Sequence, residues 1–287
     1  MGGKDMKGKV CLVTGGSSGV GLAIASGCAR LGATVAIASR DRTRGEAAAK
    51  ALRDETGNRE VEWLGADLAN LDSVRSLAEG FGRRYGGLHV LSNNAAVLSM
   101  KRRTSAQGFE LTFATNYLAH FLLTALLLPM LKAAAPARVI TVSGHPASIV
   151  GARLDFGDLM LERGYSPIRA TLGAALARVL FSLELARRLE GRGVSSNTFH
   201  PGLVRSGLPA SLPWALRLPA RVGMVFLSRE CATGVRLACS EEVEGITGRF
   251  FVGAKSARFE PSYDLAAEAL RLWRASEALV GQGVAGG

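Results

Sequence analysis

The stretch Thr14-Gly15-Gly16-Ser17-Ser18-Gly19-Val20-Gly21 decides the fold that this sequence predicts. It follows a short apolar run, residues 10–13, and opens a segment of helical period, residues 20–31. Glycines in a strand-to-helix turn let backbone N–H groups approach a pyrophosphate at the helix N-terminus. This placement favours a dinucleotide site over a turn without a ligand. The predicted binding residues here are Gly15, Ser17, Ser18, Gly19, Val20 and Gly21.

Strand-like apolar runs alternate with segments of helical period along most of the chain. The longest helical segment is residues 109–133, and the runs are residues 10–13, 33–38, 61–65, 88–92, 138–143 and 194–198. Repeated strand–helix alternation predicts a parallel sheet with helices on both faces. We therefore predict an α/β fold, a single doubly wound Rossmann domain over residues 1–287 with about seven strands. Residues 203–227, rich in proline and apolar residues, are predicted to be a lid over the substrate.

The composition narrows the class of protein. The 287 residues are 48% hydrophobic and carry a net charge of +11, but the basic residues form no run with interleaved aromatics. That pattern does not favour a nucleic-acid partner. The longest apolar stretch, residues 118–131, is too short to span a bilayer, so no transmembrane segment is expected. The four cysteines lack metal-ligand spacing, which predicts reduced thiols in a cytoplasmic protein and no metal site.

The end of the second predicted strand indicates which dinucleotide would bind. A site selective for NAD would place an acidic residue there, but the strand ends in Ser39-Arg40. A guanidinium beside a hydroxyl suits a 2′-phosphate through charge-assisted hydrogen bonds. The predicted cofactor is therefore NADP(H).

Further motifs extend over roughly residues 7–281. The glycine turn fits the pattern TGxxxGxG, residues 93–96 are similar to NNAG, and residues 201–206 are similar to PGxVxT. On these motifs the sequence resembles the short-chain dehydrogenase/reductase family, in its retinol-dehydrogenase-like and WW-domain-oxidoreductase-like branch. The resemblance implies a homo-oligomer and further cofactor contacts at Asp67, Leu68, Asn94, Ala95, Pro201, Gly202, Val204 and Ser206.

The resemblance fails at the catalytic signature. Asn116 and Ser143 match two active-site residues of the family. In this branch the segment over residues 165–181 reads approximately YSPxxAYGQSKLANVLF, whereas here Thr171 stands at the position of the catalytic tyrosine and Ala175 at that of the catalytic lysine. Threonine is far less acidic than tyrosine, and alanine can neither tune a pKa nor bond a ribose. Ordinary carbonyl reduction should therefore be severely impaired.

These substitutions leave several functions open. We expect an enzyme that binds NADP(H) and acts on a bulky lipophilic small molecule by imine or iminium reduction, or by non-redox cyclisation, dehydration or isomerisation. Its candidate catalytic residues are Ser143, Asn116 and His145. One alternative is an ordinary NADP-dependent oxidoreductase in which another group, such as His145, supplies the proton. The other is a cofactor-binding sensor or partner protein without catalysis.

Overall fold

The computed structural model describes residues 5–202, 204 and 230–281 and contains the predicted doubly wound α/β architecture. One sheet has the strand order β3-β2-β1-β4-β5-β6-β7-β8. All neighbouring pairs are parallel except β7 with β8, which is antiparallel. The strands are β1 Val10–Thr14, β2 Thr34–Ser39, β3 Val61–Gly65, β4 Val90–Asn93, β5 Ala137–Val142, β6 Val194–His200, β7 Phe250–Val252 and β8 Lys255–Ala257.

Helices connect the strands and cover both faces of the sheet. They are α1 Gly19–Arg30, α2 Arg42–Thr56, α3 Leu71–Arg84, α4 Leu111–Phe113, α5 Ala119–Ala133, α6 Pro146–Ile149, α7 Pro167–Arg188, α8 Ala232–Cys239 and α9 Leu265–Val280. The alternation read from the sequence is confirmed, and the eighth strand is the short antiparallel β8. A single domain over the whole chain stays a prediction.

The long helix predicted over residues 109–133 begins at Leu111, because Glu110 caps it by accepting from the N–H groups of Thr112 and Phe113. It also contains a π-helical turn, Ala114–Leu118. π-Turns occur mostly as single interruptions of α-helices, often at functional sites. Here the turn redirects the backbone at Asn116, one of the candidate residues.

The helix over residues 111–133 is relevant to the prediction that the chain has no transmembrane segment. Within the described part of the chain, Leu111–Ala133 is the one helix long and apolar enough to cross a bilayer, and 83% of its most apolar window is buried inside the protein. The aromatic rings of Phe121, Phe181 and Trp273 pack together here, with Phe181 and Trp273 stacked at 6.0 Å. This burial is typical of a core helix.

The strand order reverses between β1 and β4, which pair with each other in the middle of the sheet. In open α/β sheets, ligands bind at such a switch point, beyond the carboxyl ends of the strands. Because the strands from β3 to β7 are parallel, their carboxyl ends share one edge. The glycine turn, Ser39-Arg40, Ser143 and His200 therefore lie along the same edge.

Candidate functional site

The glycine turn after β1 is held by close backbone contacts. Gly15 has φ +65° and Gly19 has φ +58°, a left-handed region that favours glycine. A Cβ on Gly21 would lie 2.5 Å from Asn94 Nδ2 and 2.6 Å from the carbonyl oxygen of Gly15. Ser18, the N-cap of α1, makes no side-chain capping bond in the described structure, so first-turn N–H groups of α1 stay open to an anion. This cradle fits a pyrophosphate.

Thr14 joins the glycine turn to the loop after β4. Its hydroxyl donates to the carbonyl of Ser92 at 3.2 Å and accepts from the N–H groups of Asn94 and Ala95 at 2.9 and 3.1 Å. The Asn94 side chain returns a hydrogen bond to the Thr14 carbonyl at 3.0 Å. The ring of buried His120 lies 3.3 Å from the Thr14 hydroxyl. The two predicted cofactor loops are thus one bonded unit.

The end of β2 carries an exposed cation. Arg40 is exposed and, among the described residues, no carboxylate oxygen lies within ion-pair distance of it. The neighbouring Arg42 and Arg44 are paired with Glu46 and Asp41. The Ser39 hydroxyl accepts from the Trp63 ring at 3.0 Å and keeps its own proton for another partner. Both predicted phosphate contacts are available.

Asp67 and Leu68 follow β3 as predicted, but they differ in what they offer. The Asp67 carboxylate accepts from the N–H of Ala69 at 3.1 Å, and the Asp67 N–H donates to Ser73 at 3.0 Å. Leu68 is 7% exposed and belongs to the core beneath the sheet edge. A cofactor contact of Leu68 would therefore use its backbone, whereas the second carboxylate oxygen of Asp67 accepts no hydrogen bond from the described residues.

Asn116 shapes the site through its neighbours. Its amide oxygen accepts from the Val97 N–H at 2.7 Å, and its amide nitrogen donates to the Val97 carbonyl at 3.0 Å. The side chain is buried and holds the loop after β4 in place. Its predicted catalytic role is not tested by this placement, but both amide groups already have partners.

Ser143 and α7 are bonded to each other. The Ser143 hydroxyl donates to the carbonyl of Ala175 at 2.9 Å, which leaves its oxygen able to accept. The Thr171 hydroxyl donates to the carbonyl of Pro167 at 2.7 Å, one turn earlier in the same helix. The Thr171 proton is therefore used within α7.

His145 lies beside a second histidine that the sequence analysis did not choose. His145 Nδ1 accepts the N–H of Ala147 at 3.2 Å and so caps α6. The His145 ring meets the His200 ring edge-on, with centroids 5.1 Å apart. Burial lowers the pKa of His200, and the neighbouring His145 lowers it further. His200 ends β6, a strand longer than the run predicted at residues 194–198. That extension brings it to the site.

Arg178 is the functional candidate that the sequence analysis missed. It is 5% exposed, and its guanidinium donates to three backbone carbonyls: Ala95 at 2.6 Å, Val142 at 2.9 Å, and Asn116 through Nε. Burial lowers its pKa to about 9, which still leaves it a cation at neutral pH. The signal in the sequence was an arginine inside an apolar run of a helix, because charged side chains are rarely fully buried unless they are paired.

The remaining predicted contacts follow β6. Pro201 is partly buried, Gly202 has φ +74°, and Val204 is 8% exposed in the core cluster under the first strands. Ser206 and the predicted lid at residues 203–227, Val204 excepted, lie outside the described residues.

A cavity of about 390 Å³ lies beside the first turns of α7. Phe113, Leu154, Ile168 and Leu172 contribute to its lining, and none of the predicted site residues does. In the described residues no cluster of three or more His, Cys, Asp or Glu side chains could hold a metal ion.

The glycine cradle at the switch point, the free Arg40 and the polar edge after β5 together define a dinucleotide-binding protein of the doubly wound class. The sequence model of the family described as short chain dehydrogenase matches residues 9–153, and the chain belongs to this family.

Curated relatives cover almost all of the chain. It is 40% identical to retinol dehydrogenase 12 of Homo sapiens over 283 residues, which span 96% of this chain and 88% of the relative. It is 38% identical to retinol dehydrogenase 13 of Mus musculus, over 98% of this chain and 86% of the relative. The resemblance to the retinol-dehydrogenase-like branch is confirmed.

Solved structures agree with the fold. An uncharacterised protein from Mycobacterium paratuberculosis superposes with a TM-score of 0.74 at 31% identity, covering 99% of this chain and 97% of that one. The RhlG protein of Pseudomonas aeruginosa, solved as an active-site complex with NADP, has a TM-score of 0.67 at 27% identity, over 86% of this chain and 95% of that one.

Proposed function

We propose that the protein is an NADP(H)-dependent oxidoreductase that acts on a bulky lipophilic small molecule, with His145 rather than Thr171 as the residue that polarises the substrate oxygen. Membership of the short chain dehydrogenase family and retinol dehydrogenase relatives support an oxidoreductase. The NADP complex of the similar RhlG structure and the free Arg40 guanidinium support the cofactor. The apolar composition of residues 203–227 supports a lipophilic substrate.

The usual proton path of the family has no equivalent at Thr171 and Ala175. A threonine hydroxyl is far less acidic than a phenol, and this one donates to the Pro167 carbonyl. The methyl group of Ala175 can neither lower a pKa nor bind a sugar hydroxyl. Loss of one positioned acid–base group costs about 10²–10⁴-fold in rate, so another group must carry the proton.

The His145–His200 pair beside Ser143 is the observation that carries this proposal. Because His145 Nδ1 accepts the Ala147 amide, the neutral ring carries its proton on Nε2. The Nε2–H would then donate a hydrogen bond to a substrate oxygen and polarise it, and the proton that ends on this oxygen would come from solvent. When bound, NADP(H) supplies hydride chemistry. His145 would donate a hydrogen bond to the substrate oxygen, and Ser143, whose oxygen can still accept, would help to orient the substrate.

A second candidate needs no proton donor to oxygen. The engaged Thr171 hydroxyl and the methyl group at Ala175 favour either imine reduction or a non-redox cyclisation, dehydration or isomerisation. Hydride addition to a cationic iminium gives the neutral amine with no further proton, but the buried cation of Arg178 disfavours that cation in the same cleft, whereas a neutral imine would also need a proton on nitrogen. A sensor or partner protein without turnover is the third alternative.

NADPH absorbance should be followed during turnover with bulky lipophilic aldehydes, ketones and imines, with product analysis in parallel. We expect NADPH oxidation, and His145→Asn should lower kcat by about 10²–10³-fold, because asparagine keeps the helix cap but lacks the imidazole N–H that donates to the substrate oxygen. Thr171→Ala is the matched control and should leave kcat unchanged. Full activity of His145→Asn refutes the role of His145, and product formation without NADPH oxidation refutes the redox assignment.

A cytoplasmic location and a homo-oligomeric state stay predictions. A homo-oligomer would be seen as a mass above 30.1 kDa by light scattering, and a monomer at that mass would contradict it.

A further inference from the structure

Arg178 carries a buried charge that the described residues do not neutralise. Its guanidinium contacts only backbone carbonyls, and no carboxylate lies within ion-pair distance of it in the described part of the chain. The segment between His200 and Glu230 contains no aspartate or glutamate, so it cannot supply a counter-charge either. Buried charges are normally paired because burial removes their hydration. Arg178 therefore leaves a site of positive potential.

The three carbonyls place the charge of Arg178 beyond the carboxyl ends of β4 and β5, which form one half of the sheet edge. Ala95 belongs to the loop after β4, Val142 ends β5, and Asn116 lies in the π-turn packed against both. The glycine cradle and Arg40 lie at the other half, after β1 and β2. A dinucleotide bound across the switch point has one nucleotide on each half. With the 2′-phosphate near Arg40, the nicotinamide nucleotide falls on the half that contains Arg178.

The surrounding side chains do not compensate for the charge. Thr171 cannot ionise, and Ser143 donates to a carbonyl. Burial keeps the pKa of His120 well below its ordinary value, with the charge of Arg178 as the second cause, so that ring is neutral and supplies no anion. The oxidised nicotinamide ring is a cation and the reduced ring is uncharged. A fixed positive charge therefore distinguishes the two.

We propose that Arg178 makes the site selective for the reduced, uncharged nicotinamide over the oxidised cation. This inference rests on the proposed binding of NADP(H). At an effective dielectric constant of about 20, two unit charges about 10 Å apart repel enough to weaken binding about tenfold. The expected result is NADPH affinity at least about tenfold above NADP⁺ affinity, so that NADPH would occupy the site when both cofactors are present at equal concentration.

Calorimetric titration of both cofactors tests this without any turnover. The wild-type protein should bind NADPH at least about tenfold more tightly than NADP⁺. Arg178→Lys keeps the charge and should keep the ratio, whereas Arg178→Gln and Arg178→Met should bring it close to one. Arg169→Gln is the matched control, since exposed Arg169 also donates to a carbonyl, that of Gly164. It should leave the ratio unchanged.

The ratio of NADPH affinity to NADP⁺ affinity is measured within each variant, so a loss of stability that weakens the binding of both cofactors equally does not change it. Equal affinities in the wild type overturn the inference, as does an unchanged ratio in either neutral variant. If both neutral variants fail to fold, the wild-type ratio and that of Arg178→Lys decide. Binding of neither cofactor would instead refute the proposed function, so the two failures are distinguishable.

Discussion

Replacement of Arg40 by alanine should selectively weaken the binding of NADP(H). In the described structure Arg40 is exposed and unpaired, so the substitution breaks no ion pair and should leave the thermal unfolding temperature unchanged. A charge-assisted hydrogen bond contributes about 1.5–3 kcal/mol. At 1.36 kcal/mol per factor of ten, its loss should lower NADPH affinity by about tenfold to 150-fold. NADH affinity should not change, because that cofactor has no 2′-phosphate.

Calorimetry of NADPH and NADH against the wild type and two variants provides the assay. Arg42→Ala is the control: Arg42 is paired with Glu46 four residues along α2, and its loss should cost about 0.3–0.5 kcal/mol of stability but no cofactor affinity. Equal wild-type affinities for the two cofactors would refute the reasoning. So would an Arg40→Ala variant that binds NADPH as tightly as the wild type.

Two further predictions concern the catalytic positions and the buried histidine. The wild type should reduce simple aldehydes and ketones very poorly. The double variant Thr171→Tyr, Ala175→Lys should recover some of this reduction. Each substitution alone should recover little, because the tyrosine and the lysine act as a unit. Brisk wild-type reduction of these carbonyls in the NADPH assay would contradict the assigned positions. Burial keeps the folded-state pKa of His120 below its unfolded value of about 6.5, so the unfolded protein binds a proton at this residue more readily than the folded protein does. The free energy of unfolding is therefore unaffected by His120 above that pH and decreases as the pH falls below it. In urea unfolding, the free energy of unfolding should decrease from pH 7.5 to pH 5.5 by about 1 kcal/mol less in His120→Gln than in the wild type. Equal decreases in the two proteins would refute this.

The first half of the fold could be predicted because its signals are local. The glycine turn, the strand runs and the end of β2 are patterns within a few residues of each other, and the structure places them as expected. The contacts that Asn116 makes with Val97 and Arg178 were not predictable, because those residues come from distant segments of the chain. Local periodicity carries no information about such contacts.

In the candidate site, too, residues within local motifs could be predicted, whereas contacts between distant segments could not. Ser143, Asn116 and His145 could be chosen from motifs, and the structure brings Ser143 against α7 and His145 against His200. The role of His200 depends on β6 continuing to the sheet edge, which β-sheet pairing with β7 determines. β7 and β8 are only three residues long, too short to give a strand pattern.

The guanidinium of Arg178 has a consequence for the evolution of this site. Ala175 and Arg178 are three residues apart in α7 and so share one side of the helix. A single mutation that restored lysine at position 175 would place a second cation on the side of the helix that carries Arg178, where like charges disfavour each other. A single loss of Arg178 would instead leave three carbonyls without their donor. Each of these changes carries a cost by itself, so the tyrosine–lysine chemistry restored at positions 171 and 175 should be stronger in a descendant in which position 178 changes as well.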